Sequence, residues 1–263
     1  MDEIDRLLTR VKKSANGWMP VFVYRRLYET AAAAGDGTIV EIGTFRGAAT
    51  IAMALGARSG GRTFNIVTAD ILHPGVGLEG ATPQEKVAAL QRTLDEFGVA
   101  NSVRFVHGRV EEVVAEADPR NITLLLLDGG GRIESDFAAL WERLAPDAPI
   151  VVDDIDGHVT VERTLRVARI NQKHRLSKRL TEIYEAAGLL IPEGRTGSTG
   201  WYRKGKAALS AGEIRLMALP AYHQLIHSEV GGSEFGLPRA LARWVAVRAP
   251  WLRRLYRRLR PAR

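Results

Sequence analysis

The chain has 263 residues, of which 46% are hydrophobic, and it contains no cysteine. This length suits one large α/β domain with additions, and the lack of cysteine excludes disulfides, thiolate metal ligands and cysteine nucleophiles. The acidic start, Met1–Arg6, lacks the apolar core of a secretion signal, and no apolar run approaches the ~18 residues of a membrane span. We therefore expect a cytoplasmic protein.

The net charge of +7 is concentrated at the C-terminus. Residues 237–263 hold nine arginines and no acid, so the rest of the chain carries 28 basic residues against 30 acidic ones. The body is therefore not expected to bind nucleic acid. In the tail, arginines and apolar residues recur at helical intervals, as in helices that lie on membranes. Two interpretations stay open: an anionic surface on the inner membrane face, or packing against the body or a second subunit.

The hydrophobic pattern predicts the following elements in chain order. Helices cover residues 3–34, with a break near Asn16–Pro20. Strands are then predicted at 38–41, 64–70, 103–107, 122–128 and 150–153, alternating with helices at 47–55, 83–97, 111–117 and 135–144. A long basic helix is expected over 159–187, a hairpin of 189–191 with 200–204 follows, and helical additions begin near residue 207.

This alternation predicts a doubly wound, Rossmann-like α/β fold with a parallel sheet. Ligands of such sheets bind at the edge where the C-terminal ends of the strands meet. Acids or a histidine stand at or beside every predicted strand end, namely Glu41, Asp70, His107, Asp128, Asp153 and Asp154. The sequence therefore predicts a functional site at this edge.

The first strand leads into a glycine turn, Glu41-x-Gly43-x-x-x-Gly47. Gly43 allows close approach of the backbone, and Gly47 lets the next helix pack on the strand. The turn departs from the dinucleotide motif because Phe45 stands in the place of the middle glycine, so a nicotinamide-dependent oxidoreductase is disfavoured. Asp70 either accepts hydrogen bonds from ribose hydroxyls or caps its own turn.

Three carboxylates, Asp128, Asp153 and Asp154, follow two buried strands. Converging carboxylate oxygens on rigid supports suit a divalent cation, and Mg²⁺ keeps coordination positions for substrate oxygens. We therefore predict a metal-assisted group-transfer enzyme whose ion acidifies and positions a substrate hydroxyl. In the alternative interpretation, Asp153 and Asp154 cap the following turn and Asp128 contacts a cofactor.

The ordered segments Val40–Gly47, Asp70, Leu127–Gly130 and Val151–Ile155 resemble class I S-adenosylmethionine-dependent methyltransferases over about residues 35–205. More narrowly, they are similar to the macrocin-type and mycinamicin-type sugar O-methyltransferases and the cephalosporin-hydroxylase-like proteins. The resemblance implies a seven-stranded sheet with an antiparallel last strand. We expect an N-terminal helical cap (1–34), the cofactor-binding domain (35–206) and a C-terminal helical extension (207–263).

The resemblance also implies roles for individual residues. The methionine end of the cofactor would be held by Glu41, Gly43, Thr44, Phe45 and Gly47, and the ribose by Asp70. The segment His107-Gly108-Arg109 would lie near the adenine, although Arg109 replaces a small or acidic residue of the relatives. Asp128 would serve both cofactor and catalysis, and together with Asp153 and Asp154 it would bind Mg²⁺.

One position departs from the pattern of these relatives. They often carry a histidine where this chain has Gly131, so the proton acceptor must come from elsewhere. His158 is the predicted base because its ordinary pKa suits proton transfer, with a surface histidine as the alternative. Glu134 and Asp156 are lesser candidates.

Further residues are candidates for the border of a substrate site. His73 follows the second strand, and Trp18 and Tyr24 precede the first. The two aromatics either stack on a substrate ring or pack the N-terminal helices on the sheet. Trp201 and Tyr202 are expected in the core.

These observations predict an S-adenosylmethionine-dependent, Mg²⁺-assisted O-methyltransferase acting on a hydroxyl of a sugar, glycoside or glycolipid. A catechol-like phenol is the alternative acceptor. The alternative class is a catalytically silent, membrane-associated relative, which Gly131 favours. Whether the protein forms a homodimer also stays open.

Overall fold

The computed structural model describes residues 2–73, 80–130, 133–163 and 168–231, with side chains described outside 160–171 and 226–231. Its first compact unit spans residues 1–218. The first half of this unit contains α1 (Glu3–Ser14), α2 (Val21–Ala33), β1 (Gly37–Ile42), α3 (Ala48–Ser59), β2 (Phe64–Asp70), α4 (Pro83–Glu96), β3 (Val103–His107) and α5 (Val110–Glu112). The second half contains β4 (Ile122–Leu127), α6 (Ile133–Leu140), β5 (Pro149–Val152), β6 (Thr160–Arg163), β7 (Ala168–Asn171), α7 (Lys173–Ala186), β8 (Leu190–Thr196), β9 (Thr199–Lys204) and α8 (Ala211–Leu216). The second unit, 219–263, begins with α9 (Leu219–Gly231).

Seven strands form one sheet in the order β3-β2-β1-β4-β5-β9-β8. Strands β1 to β5 pair in parallel, whereas β9 runs antiparallel to both β5 and β8. The predicted Rossmann-like sheet of seven strands with an antiparallel last strand is confirmed. Because the chain order reverses between β1 and β4, the crevice of the sheet opens where these two strands end.

The central strands of the sheet are buried on both faces. Every residue of β4 is buried, which suits its run of aliphatic residues. On one face, Leu8 of α1 and Leu27 of α2 join Ile39 and Ile51 in a single core. Burying each such side chain contributes about 1.5–3 kcal/mol, so the N-terminal helices are held firmly against the sheet. Trp201 and Tyr202 are also buried, as predicted.

The prediction of one helix over 159–187 is wrong in its first half. An antiparallel hairpin, β6 with β7, precedes α7, which begins only at Lys173. The run Val159-Thr-Val161 is β-branched, and such residues favour strands over helices. The hairpin therefore follows from a local preference that the helical spacing had obscured.

One finding concerns membrane contact, and two features of the sequence fall outside the described residues. Among the described helices, none combines the length and apolar character needed to cross a bilayer. The arginine-rich tail, residues 237–263, and Gly131 lie outside the described residues.

Candidate cofactor and metal site

The glycine turn after β1 lies directly against the end of β4. Gly43 has a φ of +107°, and a Cβ added there would come within 2.4 Å of the carbonyl oxygen of Asp128. The amide of Asp128 in turn donates a 2.8 Å hydrogen bond to the carbonyl oxygen of Ile42. The backbone approach predicted for Gly43 thus exists, and it places the turn beside Asp128.

Glu41 is completely buried behind this turn. Its Oε2 accepts hydrogen bonds from the hydroxyls of Thr50 and Thr68. Oε1 is buried too and receives no hydrogen bond from any part of the chain that the structure describes. Burial raises the pKa of Glu41 to about 7, although the two threonines oppose the rise. Glu41 therefore links β1 to α3 and β2, and its predicted contact with the methionine end of a cofactor stays a prediction.

The carboxylate of Asp70 joins the ends of β1 and β2. It accepts hydrogen bonds of 2.7 Å from the amides of Phe45 and Leu72, one on each oxygen. Phe45 has a φ of +49°, a left-handed conformation that this link helps to hold. Asp70 therefore caps its turn, as the alternative interpretation has it, and its contact with a ribose stays a prediction.

The remaining predicted cofactor residues lie around this edge. Thr44 is buried, and its hydroxyl is hydrogen-bonded to that of Thr68. His107 pairs with Asp70 in the sheet, and the amide of Gly108 donates to the carbonyl oxygen of Asp70. Arg109 is exposed. The edge strand β3 therefore brings His107, Gly108 and Arg109 next to the predicted ribose position.

The structure brings the three predicted metal ligands together. One oxygen from each of Asp128, Asp153 and Asp154 lies within 4.8 Å of the others. The hydroxyls of Ser198 and Thr199 donate to Oδ1 of Asp153, at 3.2 and 2.7 Å. Asp154 has a φ of +59°, which turns the chain sharply at the end of β5. The donor set of hard oxygens fits a divalent cation such as Mg²⁺.

A lysine that the sequence analysis missed lies within this cluster. Lys173 Nζ is 3.1 Å from Oδ1 of Asp128 and 2.7 Å from Oδ2 of Asp154. Burial lowers the pKa of Lys173, but Asp128 and Asp154 outweigh that effect and hold the pKa above its usual value. Burial also raises the pKa of Asp128, an effect that Lys173 opposes and the neighbouring acids increase. At neutral pH the three aspartates therefore lie around one positive charge, the ammonium group of Lys173.

A histidine that the sequence analysis did not single out also contacts an acid of the cluster. His174 Nε2 is 3.1 Å from Oδ1 of Asp154, and its Nδ1 is 2.7 Å from Oδ1 of Asp156. His158 is exposed, its backbone amide donates to Asp156, and its ring centroid lies 6.2 Å from that of His174. The predicted base thus borders the cluster through His174 and Asp156.

The other candidates divide between core and edge. Tyr24 is buried in the core, and this burial raises the pKa of its phenol. A hydrogen bond with the backbone of Met19 lowers that pKa, whereas the negative charge of Asp128 raises it further. Trp18 is 71% exposed, with its ring centroid 4.7 Å from that of Phe45 in the cofactor turn. Glu134 is buried in α6, and the backbone oxygen of His73 accepts from Lys86. Of the two aromatics, only Trp18 is open to a ligand.

One family model matches part of the chain. Residues 40–155 match the family model described as a methyltransferase domain. This range contains the glycine turn, Asp70 and all three acids of the cluster.

Three solved methyltransferases illustrate the similarity of fold. The O-methyltransferase TomG of Streptomyces achromogenes, involved in tomaymycin synthesis and bound to S-adenosylmethionine, is 17% identical, with 77% of this chain and 88% of that chain covered and a TM-score of 0.52. An O-methyltransferase of Bacillus cereus bound to S-adenosylhomocysteine is 14% identical, with 78% and 92% covered and a TM-score of 0.54. A Podospora anserina methyltransferase bound to S-adenosylhomocysteine is 13% identical, with 78% and 89% covered and a TM-score of 0.55.

Residues 40–155 thus match a methyltransferase domain, and the chain shares its fold with methyltransferases solved with S-adenosylmethionine or S-adenosylhomocysteine bound. The narrower resemblance to the macrocin-type sugar enzymes stays a prediction.

Proposed function

We propose that this protein transfers a methyl group from S-adenosylmethionine to a hydroxyl oxygen of a sugar, glycoside or glycolipid. The observation that carries the proposal is the convergence of Asp128, Asp153 and Asp154 beside the glycine turn of β1. The bound cofactor would supply an electrophilic methyl group on its sulfonium. Two solved relatives of the same fold are described as O-methyltransferases, which supports oxygen as the acceptor atom.

We propose that the acidic cluster holds a divalent cation, Mg²⁺ being the hard ion that such a donor set suits. The ion would bind substrate oxygens and make a hydroxyl more acidic. A vicinal diol, as in a sugar, offers two oxygens for this purpose, and a catechol does the same. This set of oxygen ligands therefore supports both acceptor classes. We favour the sugar because the sequence resembles those of sugar O-methyltransferases.

The proton of the acceptor hydroxyl needs a base near the cluster. We propose His158 for this role, because His174 already faces a carboxylate with each ring nitrogen. His174 would orient the loop that carries Asp154 and Asp156. Trp18, exposed beside Phe45, would cover one side of the acceptor.

The test is transfer of a labelled methyl group from S-adenosylmethionine to methyl glycosides and to catechol, with Mg²⁺ or with excess EDTA. We expect transfer to a glycoside with Mg²⁺ and its loss in EDTA, and Asp153→Ala should lose metal and activity together. Labelling of catechol alone would show that the acceptor is a catechol-like phenol and not a sugar. Full turnover in EDTA would exclude a role of the metal in the reaction. Calorimetric binding of NAD in the absence of methyl-donor binding would overturn the proposal as a whole.

The arginine-rich tail carries a separate part of the proposal. We propose that residues 237–263 bind an anionic membrane surface, supported by nine arginines without an acid. Flotation with anionic and neutral vesicles, with and without the tail, tests this. Co-flotation of the full chain with anionic vesicles alone is expected. A full chain that stays at the bottom and sediments as a dimer supports a subunit contact instead.

A further inference from the structure

We propose that Lys173 is the resident counter-ion of the acidic cluster and competes with a divalent cation for Asp128 and Asp154. This inference rests on the proposed metal site. It adds that the affinity of the site for metal is set by a residue that binds no metal itself.

The contacts of Lys173 are the first observation that supports this proposal. Its ammonium group lies 2.7 Å from Asp154 and 3.1 Å from Asp128, and these two acids come from the ends of neighbouring strands. Its side chain is only 19% exposed. The ammonium therefore occupies the space between the two carboxylates where a cation would be bound.

Simultaneous binding of both cations is unfavourable. A magnesium ion lies ~2.0–2.1 Å from its oxygen ligands, so it would approach the oxygens that Lys173 now contacts. Two positive charges within a few ångströms of each other repel strongly in a partly buried site. Lys173 has a flexible four-carbon stem, so its ammonium can withdraw while α7 stays in place.

The path of the chain explains how Lys173 reaches the cluster. The chain leaves the sheet edge at Asp154, forms the β6–β7 hairpin and returns at Lys173, the first residue of α7. His174, the next residue, contacts Asp154 as well. The return of the chain therefore brings two nitrogen-bearing side chains to one acid, and of these two only Lys173 also contacts Asp128.

Calorimetric titration with Mn²⁺ or Mg²⁺ tests the proposal independently of activity. Lys173→Met removes the charge and keeps most of the stem, whereas Lys206→Met removes the same charge from an exposed site. A neighbouring charge shifts a proton affinity by ~1–3 pKa units, so we expect Lys173→Met to bind metal ~10- to 1,000-fold more tightly. Lys173→Arg and Lys206→Met should bind like the wild type, and adding Asp153→Ala should weaken binding.

A second measurement uses the wild-type chain. Saturating Mg²⁺ should speed acetylation of Lys173 by acetic anhydride, mapped by mass spectrometry, with Lys206 as the internal reference. Equal metal affinity in Lys173→Met and wild type overturns the proposal, as does unchanged acetylation while metal binds. Absence of metal binding in both proteins removes the proposal together with the metal site. Methyl transfer in EDTA would then still show that the proposed activity stands.

Discussion

The hydroxyl of Thr199 donates a 2.7 Å hydrogen bond to Oδ1 of Asp153, one position beyond the last β5–β9 pair, Val152 with Gly200. The antiparallel strand β9 thereby holds an acid of the cluster in place. Thr199 is buried, so its hydroxyl has no access to bulk water as an alternative partner.

We expect Thr199→Val to weaken metal binding. Loss of a residue that orients a metal ligand typically costs about 10- to 100-fold in affinity, and an unsatisfied buried acceptor costs about 1–3 kcal/mol of stability. Ser198→Ala is the matched control, because its bond to the same oxygen is longer, 3.2 Å, and its effect should be smaller. Mn²⁺ titration and urea unfolding measure both effects, and equal losses in the two variants would contradict the assignment.

Gly43→Ala should disrupt the cofactor turn. The added Cβ would meet the carbonyl oxygen of Asp128 at 2.4 Å, in a backbone conformation that L-residues disfavour. We expect a loss of about 3 kcal/mol or more, together with weakened binding of S-adenosylmethionine.

Gly61→Ala is the control for that variant. Gly61 has a φ of +66° with nothing within 4 Å of its added Cβ, so only the backbone term of about 1–2 kcal/mol remains. Urea unfolding and calorimetry with the cofactor compare the two variants. A Gly43→Ala protein as stable as Gly61→Ala would show that the turn and Asp128 are not in contact.

The buried Glu41 predicts a dependence of stability on pH. Its pKa is about 7 in the folded protein, against 4.5 for an ordinary glutamate, so the folded state holds a proton that the unfolded state has lost between these values. Stability from this group is therefore present below about pH 4.5 and is lost as pH rises to about 7. Glu41→Gln removes the effect, and its stability relative to wild type should rise by about 2–3 kcal/mol between pH 4.5 and pH 8. Urea unfolding at a series of pH values measures the difference, and parallel curves would refute it.

His158→Ala should lower kcat by about 100-fold or more if His158 accepts the proton, while the affinity for S-adenosylmethionine stays unchanged. His223→Ala, at an exposed histidine of α9, serves as the control. The pH profile of kcat should also change in His158→Ala. An unchanged profile and rate would exclude His158 as the base.

Much of the fold could be predicted because its signals are local. The strand β4, aliphatic except for Thr123, requires cover on both faces, and the alternation of strands with helices predicts parallel pairing. The hairpin of β6 and β7 was missed because helical spacing and β-branched residues compete in the same segment. Within the site, the role of Asp70 stays ambiguous from sequence, since its oxygens accept from backbone amides that only the folded turn brings near.

The amino-acid sequence by itself determined the positions of the acids, because each follows directly on a buried strand and parallel strands end at one edge. It also determined the glycine turn beside them. Only the tertiary structure decided which partners these acids have. Lys173 lies 45 positions after Asp128, and it reaches that acid because a hairpin reverses the chain before α7. Thr199 lies 46 positions after Asp153, and antiparallel pairing brings it back. Contacts over such separations depend on the path of the folded chain, and no local pattern of residues encodes that path.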